Sequence, residues 1–149
     1  GYDLIGRNGV SLKDKWSEGI STLHGLQTNG FPNCFIIHTA QAGFTVSFPH
    51  AMNEQAKHIA YILNECKKAN AAVVEVTKEA EQAWVEHVID MSRMSEKYQA
   101  ECTPGYYNNE GKPNPVSRQN GAYGGGPSRF FKVVDAWRKE GAMQGLELR

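Results

Sequence analysis

GLQTNGFPNCFIIHTAQAGFTVSFPHAMNEQ, running from Gly25 to Gln55, decides how this chain is read. Gly25 to Asn33 is loop chemistry, rich in Gly, Asn and Pro. Cys34-Phe35-Ile36-Ile37-His38 is a short apolar run, which predicts a buried strand. Thr39 to Ser47 reads as a loop, and a helix is predicted from about Phe48. A loop between the carboxyl end of a strand and the amino end of a helix is where α/β proteins hold ligands. No glycine-rich nucleotide fingerprint precedes this one, so it reads as one wall of a site whose other walls lie elsewhere.

The helix after the loop has its own signals. Met52, Ala56, Ile59, Leu63 and Cys66 recur at helical spacing and define its predicted inner face. Pro49 suits the first turn, and Ser47 is the candidate N-cap. Upstream, Gly6-Arg7-Asn8-Gly9 is turn chemistry and Ser11 to Trp16 fits one helical turn. Downstream, Ala72 to Val76 is β-prone. Thr77 is placed to cap a second long helix with a predicted stripe of Ala80, Trp84, His87, Met91, Met94 and Tyr98. Glu79 and Glu81 near its start favour the helix dipole. From Cys102 to Pro127 the chain turns rich in Gly, Asn and Pro with little periodicity, long for a passive connection. A last helix is predicted over 128–140, with Phe130, Val133, Val134 and Trp137 inside and Gly141 ending it.

Composition bounds the rest. The chain has 149 residues, 40% hydrophobic and 21% charged, which is globular composition and one ordinary domain. Sixteen basic residues balance sixteen acidic ones, so bulk charge points to neither nucleic acid nor an anionic membrane. No apolar run approaches the roughly 20 residues that span a bilayer. The opening GYDLIGRNGVSL reads like the interior of a domain rather than a signal peptide. Cys34, Cys66 and Cys102 are far apart and odd in number; they fit a reducing compartment, and a cytoplasmic location is expected.

Few residues carry chemistry outright. His38, His50 and Cys34 match no standard ligand spacing, and no metal site is expected. A G-x-S-x-G elbow is absent. Gly124-Gly125-Gly126 reads either as a hinge before the last helix or as a close approach to a phosphate. Tyr106-Tyr107 beside Asn108-Asn109 reads either as a ring-stacking surface or as a loop packed on its own core. The helix start at Phe48 to His50 offers free N–H groups and a positive dipole end to anionic or carbonyl-like groups; the alternative is that Ser47 alone satisfies them.

Several segments together carry a resemblance: LKDKWSEG, GLQTNGFPNCF, NEQAKHIAYIL, QAWVEHV and NNEGKPNP, in order along essentially the whole chain. They resemble the C-terminal part of Baeyer–Villiger monooxygenases, class B flavoproteins that use FAD and NADPH. CTPGYYNNEGK is most similar to the branch acting on bulky, macrocyclic or polycyclic ketones. The resemblance implies an α/β fold: a C-terminal fragment of a two-domain dinucleotide-binding flavoprotein, mostly helical with a few short strands and a long irregular loop. It also implies that the family's nucleotide fingerprints, its signature and its catalytic arginine belong to an upstream part. The partners implied are a ketone, molecular oxygen and that missing N-terminal part of the same enzyme.

The residue roles come from the same resemblance. The ketone-lining loop falls on Gly43, Phe44, Thr45 and Val46. The flavin-facing segment falls on Phe48, Pro49 and His50, with Pro49 where Met is frequent. The loop closing over NADP falls on about 101–112, including Tyr107 and Asn108, inside a 101–127 segment expected to be mobile; Thr103 replaces a frequent tryptophan. Thr39-Ala40-Gln41 stands where the family often has Gly-Pro-Gly. No residue of this chain is expected to be catalytic. Two other readings share the fold: a stand-alone, non-catalytic binding or assembly module, and a fragment of an N-hydroxylating flavin monooxygenase.

Overall fold

The computed structural model describes residues 3–92, 101, 103–105, 110 and 116–149. It places a 3-10 turn at Arg7–Gly9, α1 at Leu12–Lys15, α2 at Phe48–Lys68, β1 at Val74–Val76 and α3 at Lys78–Met91. α4 at Ser117–Asn120, α5 at Pro127–Glu140 and β2 at Leu146–Leu148 follow. The architecture is mixed helix and short strand, as expected, and among the described residues no helix is long and apolar enough to cross a membrane.

The helix ends follow their capping chemistry. Ser11 Oγ accepts from the Asp14 N–H, and Thr77 Oγ1 accepts from the Ala80 N–H. α2 ends in a Schellman arrangement, with the Asn70 N–H on the Lys67 carbonyl and the Ala71 N–H on the Cys66 carbonyl. Asn70 takes the left-handed conformation that this closure needs. Gly141 ends α5 in the same way, with φ of 72°.

β1 and β2 form a two-stranded antiparallel ladder pairing Val74 with Leu148, Glu75 with Glu147 and Val76 with Leu146. Two apolar clusters flank it. Leu23, Ala42, Val76, Trp84, Val88, Tyr123, Phe130 and Val134 make one. Leu26, Ile62, Cys66, Val74 and Met143 make the other, with Tyr61 and Trp137 packed on it.

Two buried carboxylates fasten the 28–30 turn to this frame. Glu81 accepts from Thr28 Oγ1 and the Asn29 N–H, each at 2.7 Å, and pairs with Lys15 at 2.9 Å. Glu75 accepts from the Gly30 N–H at 3.0 Å and pairs with Arg7 and Arg149. A carboxylate taken out of water needs such partners. The LQTNG motif is therefore an anchoring device within this chain, joining the first turn, β1, α3 and the last residue.

Three expectations are corrected. Cys34 to His38 is not a strand among the described residues; its one ladder-like bond is the Ile36 N–H to the Leu26 carbonyl, and Ile37 is exposed. Among the described residues no strand pairs with it. The buried face of α2 is Ala51, Gln55, His58, Ile62 and Cys66, while Met52 and Leu63 are exposed. Hydropathy selected the stripe one position around the helix, about 100° away. The irregular 102–127 stretch contains the helical turn α4. In α3, Ala80, Trp84 and Met91 pack in the core as expected, joined by Glu81, Val85 and Val88; Met94 and Tyr98 lie outside the described residues.

Candidate functional site

The loop from Thr39 to Ser47 is built on Gln41. This residue has φ of 58°, in the left-handed region, where a non-glycine residue costs roughly 1–2 kcal/mol. It stands at the last position of the triplet where the family often has glycine. Its fully buried side chain offsets that cost: Oε1 accepts from the Thr22 N–H at 3.1 Å and from Thr22 Oγ1 at 2.6 Å, and Nε2 donates to the carbonyls of Ile20 at 2.6 Å and Gln119 at 2.9 Å. The Gln41 N–H bonds to the Gly121 carbonyl at 2.7 Å, and its own carbonyl accepts from Trp84 Nε1 at 3.3 Å. One side chain thus joins the 20–22 segment, the loop and α4. Sequence reasoning missed it; the signal was a long amide at a glycine position.

Beyond Gln41 the chain rises to the surface. Gly43 is buried, and a Cβ there would lie 2.7 Å from Phe130 Cδ1. Its role in this chain is close approach to α5, and it presents no side chain to a substrate. Phe44 is half exposed, Val46 fully exposed and Phe48 about half exposed. Pro49 and His50 are also exposed, and Thr45 donates its hydroxyl to the Ser47 carbonyl at 2.6 Å. Phe44, Val46, Phe48 and Met52 form an apolar ridge at the start of α2.

The first turn of α2 departs from expectation. Ser47 holds the N-cap position but its hydroxyl makes no capping bond. The N–H groups of His50 and Ala51 both bond to the Ser47 carbonyl, at 3.0 and 3.2 Å. They are the donors one would choose for a ligand, and they are engaged. Pro49 has no N–H. The Phe48 N–H is left, with no hydrogen bond to it among the described residues. Gln55 steadies this end of the helix by donating to the His38 carbonyl at 2.7 Å.

Behind the ridge lies a buried histidine pair. His24 Nδ1 and His58 Nε2 are 3.1 Å apart, and both rings stand edge-on to Trp137. His24 also meets Trp84 edge-on at 4.8 Å between centroids. Burial drives the pKa of each down to about 3, helped by the Arg138 charge and, for His24, by His58. Both are neutral at physiological pH. They line a narrow cleft with Gln55, Phe131 and Arg138 between α2 and α5. Among the described residues, His58 Nδ1 and His38 Nε2 are buried without a hydrogen-bond partner. The sequence reading singled out neither His24 nor His58.

These features can do limited chemistry alone. One unused amide and a helix dipole suit the edge of a large cofactor, and an apolar ridge suits an apolar substrate. Among the described residues no cluster of three or more metal-ligating side chains is found. Tyr107 and Asn108 lie outside the described residues.

Comparison with known proteins gives a consistent set of relatives. No family model matches the chain. It is 44% identical over all 149 residues to neopentalenolactone D synthase of Streptomyces avermitilis, of which it spans 25%. It is 37% identical over 147 residues to an FAD-binding monooxygenase of Hypomyces subiculosus, of which it spans 24%. Among solved structures it is similar to a polycyclic ketone monooxygenase from the fungus Thermothelomyces thermophila, with a TM-score of 0.86 and 30% identity. That match covers 99% of this chain and 24% of the other. The chain therefore spans about a quarter of the length of the relatives it matches.

Proposed function

This chain corresponds along its whole length to a segment of the Baeyer–Villiger monooxygenases, and from that premise we propose that it forms one wall of the flavin and ketone site in such an enzyme. The observation that carries the reading is the apolar ridge Phe44, Val46, Phe48 and Met52, exposed beside an unused amide at the start of α2. A stand-alone domain gains stability by burying such residues. Here the unpaired Cys34–His38 run and the outward stripe of α2 leave room for the rest of a longer polypeptide.

The cofactors in this reading are FAD and NADPH. Bound FAD, reduced by NADPH, supplies the oxygen chemistry that inserts an atom next to a ketone carbonyl to give an ester or lactone. The chain's own contribution is shape and electrostatics. Phe44, Thr45 and Val46 line the ketone pocket, with Gly43 holding them against α5. The Phe48 N–H and the dipole of α2 face the flavin's pyrimidine edge, worth about 0.3–2 kcal/mol toward negative charge there. Pro49 fixes the backbone, and His50 packs beside it. The 101–127 loop, with Tyr107 and Asn108, closes over NADP and excludes water. No residue of this chain transfers a proton, and the setting is the reducing cytoplasm.

Expression of the complete reading frame tests this. The whole polypeptide should bind FAD and oxidise NADPH in a ketone-dependent manner, with a lactone or ester as product, while the 149-residue chain alone does neither. A whole polypeptide that binds FAD yet hydroxylates an amine and leaves ketones untouched would refute the ketone reading.

A further inference from the structure

The segment from Phe44 to Pro49 is held at its two ends, and one side chain, Phe131, touches both, with Phe130 as the closer neighbour at the near end. At the near end, a Cβ on Gly43 would lie 3.1 Å from Phe131 Cε1 and closer still to the Phe130 ring. At the far end, the His50 ring meets Phe131 edge-on, 5.4 Å between centroids at 87°. Between these contacts, the hydrogen bonds of the segment are local: Thr45 to the Ser47 carbonyl, and the α2 residues His50 and Ala51 to the same carbonyl. Among the described residues no hydrogen bond or ion pair ties 44–49 to any element other than α2, which begins within it at Phe48. Phe131 itself is fixed. It packs on the core cluster of Trp84 and Val134, and its ring stands 5.8 Å from Phe130 at 72°.

We propose that Phe131 is a positioning residue that sets the depth of the 44–50 wall, and thereby the size of ketone the enzyme accepts. This rests on the reading of 43–46 as the ketone wall and adds a residue that the reading did not contain. The physical argument is one of degrees of freedom. A segment with internal bonds and two end contacts moves as a body when those contacts change. Shortening Phe131 removes a contact at both ends at once, while Phe130 still backs Gly43. Shortening a neighbour such as Val134, buried on the same helix, removes core volume and neither contact. The ridge would then sink toward α5, and apolar contacts to a bulky ketone would change while those to a small one persist.

The test uses the complete polypeptide with FAD, and the variants Phe131→Ala, Phe131→Leu and Val134→Ala. The first readout is amide hydrogen exchange. Phe131→Ala should speed exchange across 44–50, Phe131→Leu should restore much of the protection, and Val134→Ala should leave that segment unchanged. The second is the ratio of kcat/KM for a polycyclic ketone to that for cyclohexanone. Phe131→Ala should shift it by about 10-fold or more, the scale of apolar pocket contacts, mainly through KM, with NADPH-driven flavin reduction unaltered. Unchanged exchange at 44–50 in Phe131→Ala overturns the proposal. So does a loss of rate equal for both ketones, or a ratio shifted as far by Val134→Ala. If the parent oxidises no ketone, the functional reading falls; the exchange data still support or overturn the role of Phe131 in holding the wall.

Discussion

Acidification should destabilise this chain through the histidine pair, more steeply than its carboxylates alone would allow. His24 and His58 have folded-state pKa values near 3 against 6.5 in the unfolded chain. The folded value is depressed, so the stability these groups contribute is present above pH 6.5 and is lost as pH falls toward 3. Within that window the unfolded state binds two protons that the folded state does not. At about 1.36 kcal/mol per proton and pH unit, the slope approaches 2.7 kcal/mol per unit. Between pH 6 and 4.5 that removes about 4 kcal/mol, a large part of the 5–15 kcal/mol typical of a domain. Urea denaturation of the 149-residue chain, followed by tryptophan fluorescence at half-unit steps, measures it. His58→Leu removes one of the two sites and the charge that opposes His24, so its slope should fall to about half. A urea midpoint that stays level from pH 6.5 to 4.5, or a variant with the parent's slope, would refute the reasoning.

Three further outcomes are expected. Gln41→Ala should cost about 3 kcal/mol, because Thr22 and the Gln119 carbonyl lose their buried partner; thermal melting reads this directly. Glu75→Ala should cost about 2–4 kcal/mol, since the Gly30 N–H loses its acceptor and Arg7 and Arg149 lose the charge joining the two ends of the chain; denaturant unfolding and raised proteolysis near residue 7 check it. In the complete enzyme, Phe44→Ala should shift kcat/KM between bulky and small ketones by roughly 10- to 200-fold; equal effects on all ketones would assign Phe44 to packing instead.

The parts of the fold written in local chemistry were legible. Thr77, Ser11 and Gly141 mark helix ends because capping is a contact between near neighbours. The face of α2 was not. Its apolar stripe turns outward, and Gln55 and His58 turn inward because each finds a polar partner far along the chain, Gln55 at His38 and His58 at His24. Periodicity counts apolar residues and has no access to such partners. The Cys34–His38 run has strand composition, but a ladder needs a second strand, and none within the described residues pairs with it. At the site, the position of the ridge was readable from the loop-to-helix order. Its support was not, because Gln41, Gly43 and Phe131 act through contacts with residues up to about ninety positions away.

In the proposed reading, the start of α2 and the loop before it form the flavin and ketone wall. A crystal structure of the complete polypeptide with FAD bound tests it most directly. The Phe48 N–H should then lie about 2.7–3.2 Å from the flavin's pyrimidine edge, with Phe44 and Val46 turned toward the substrate cavity. If that edge is met by another part of the polypeptide, and Phe44 to His50 face solvent, the assignment of this segment is contradicted.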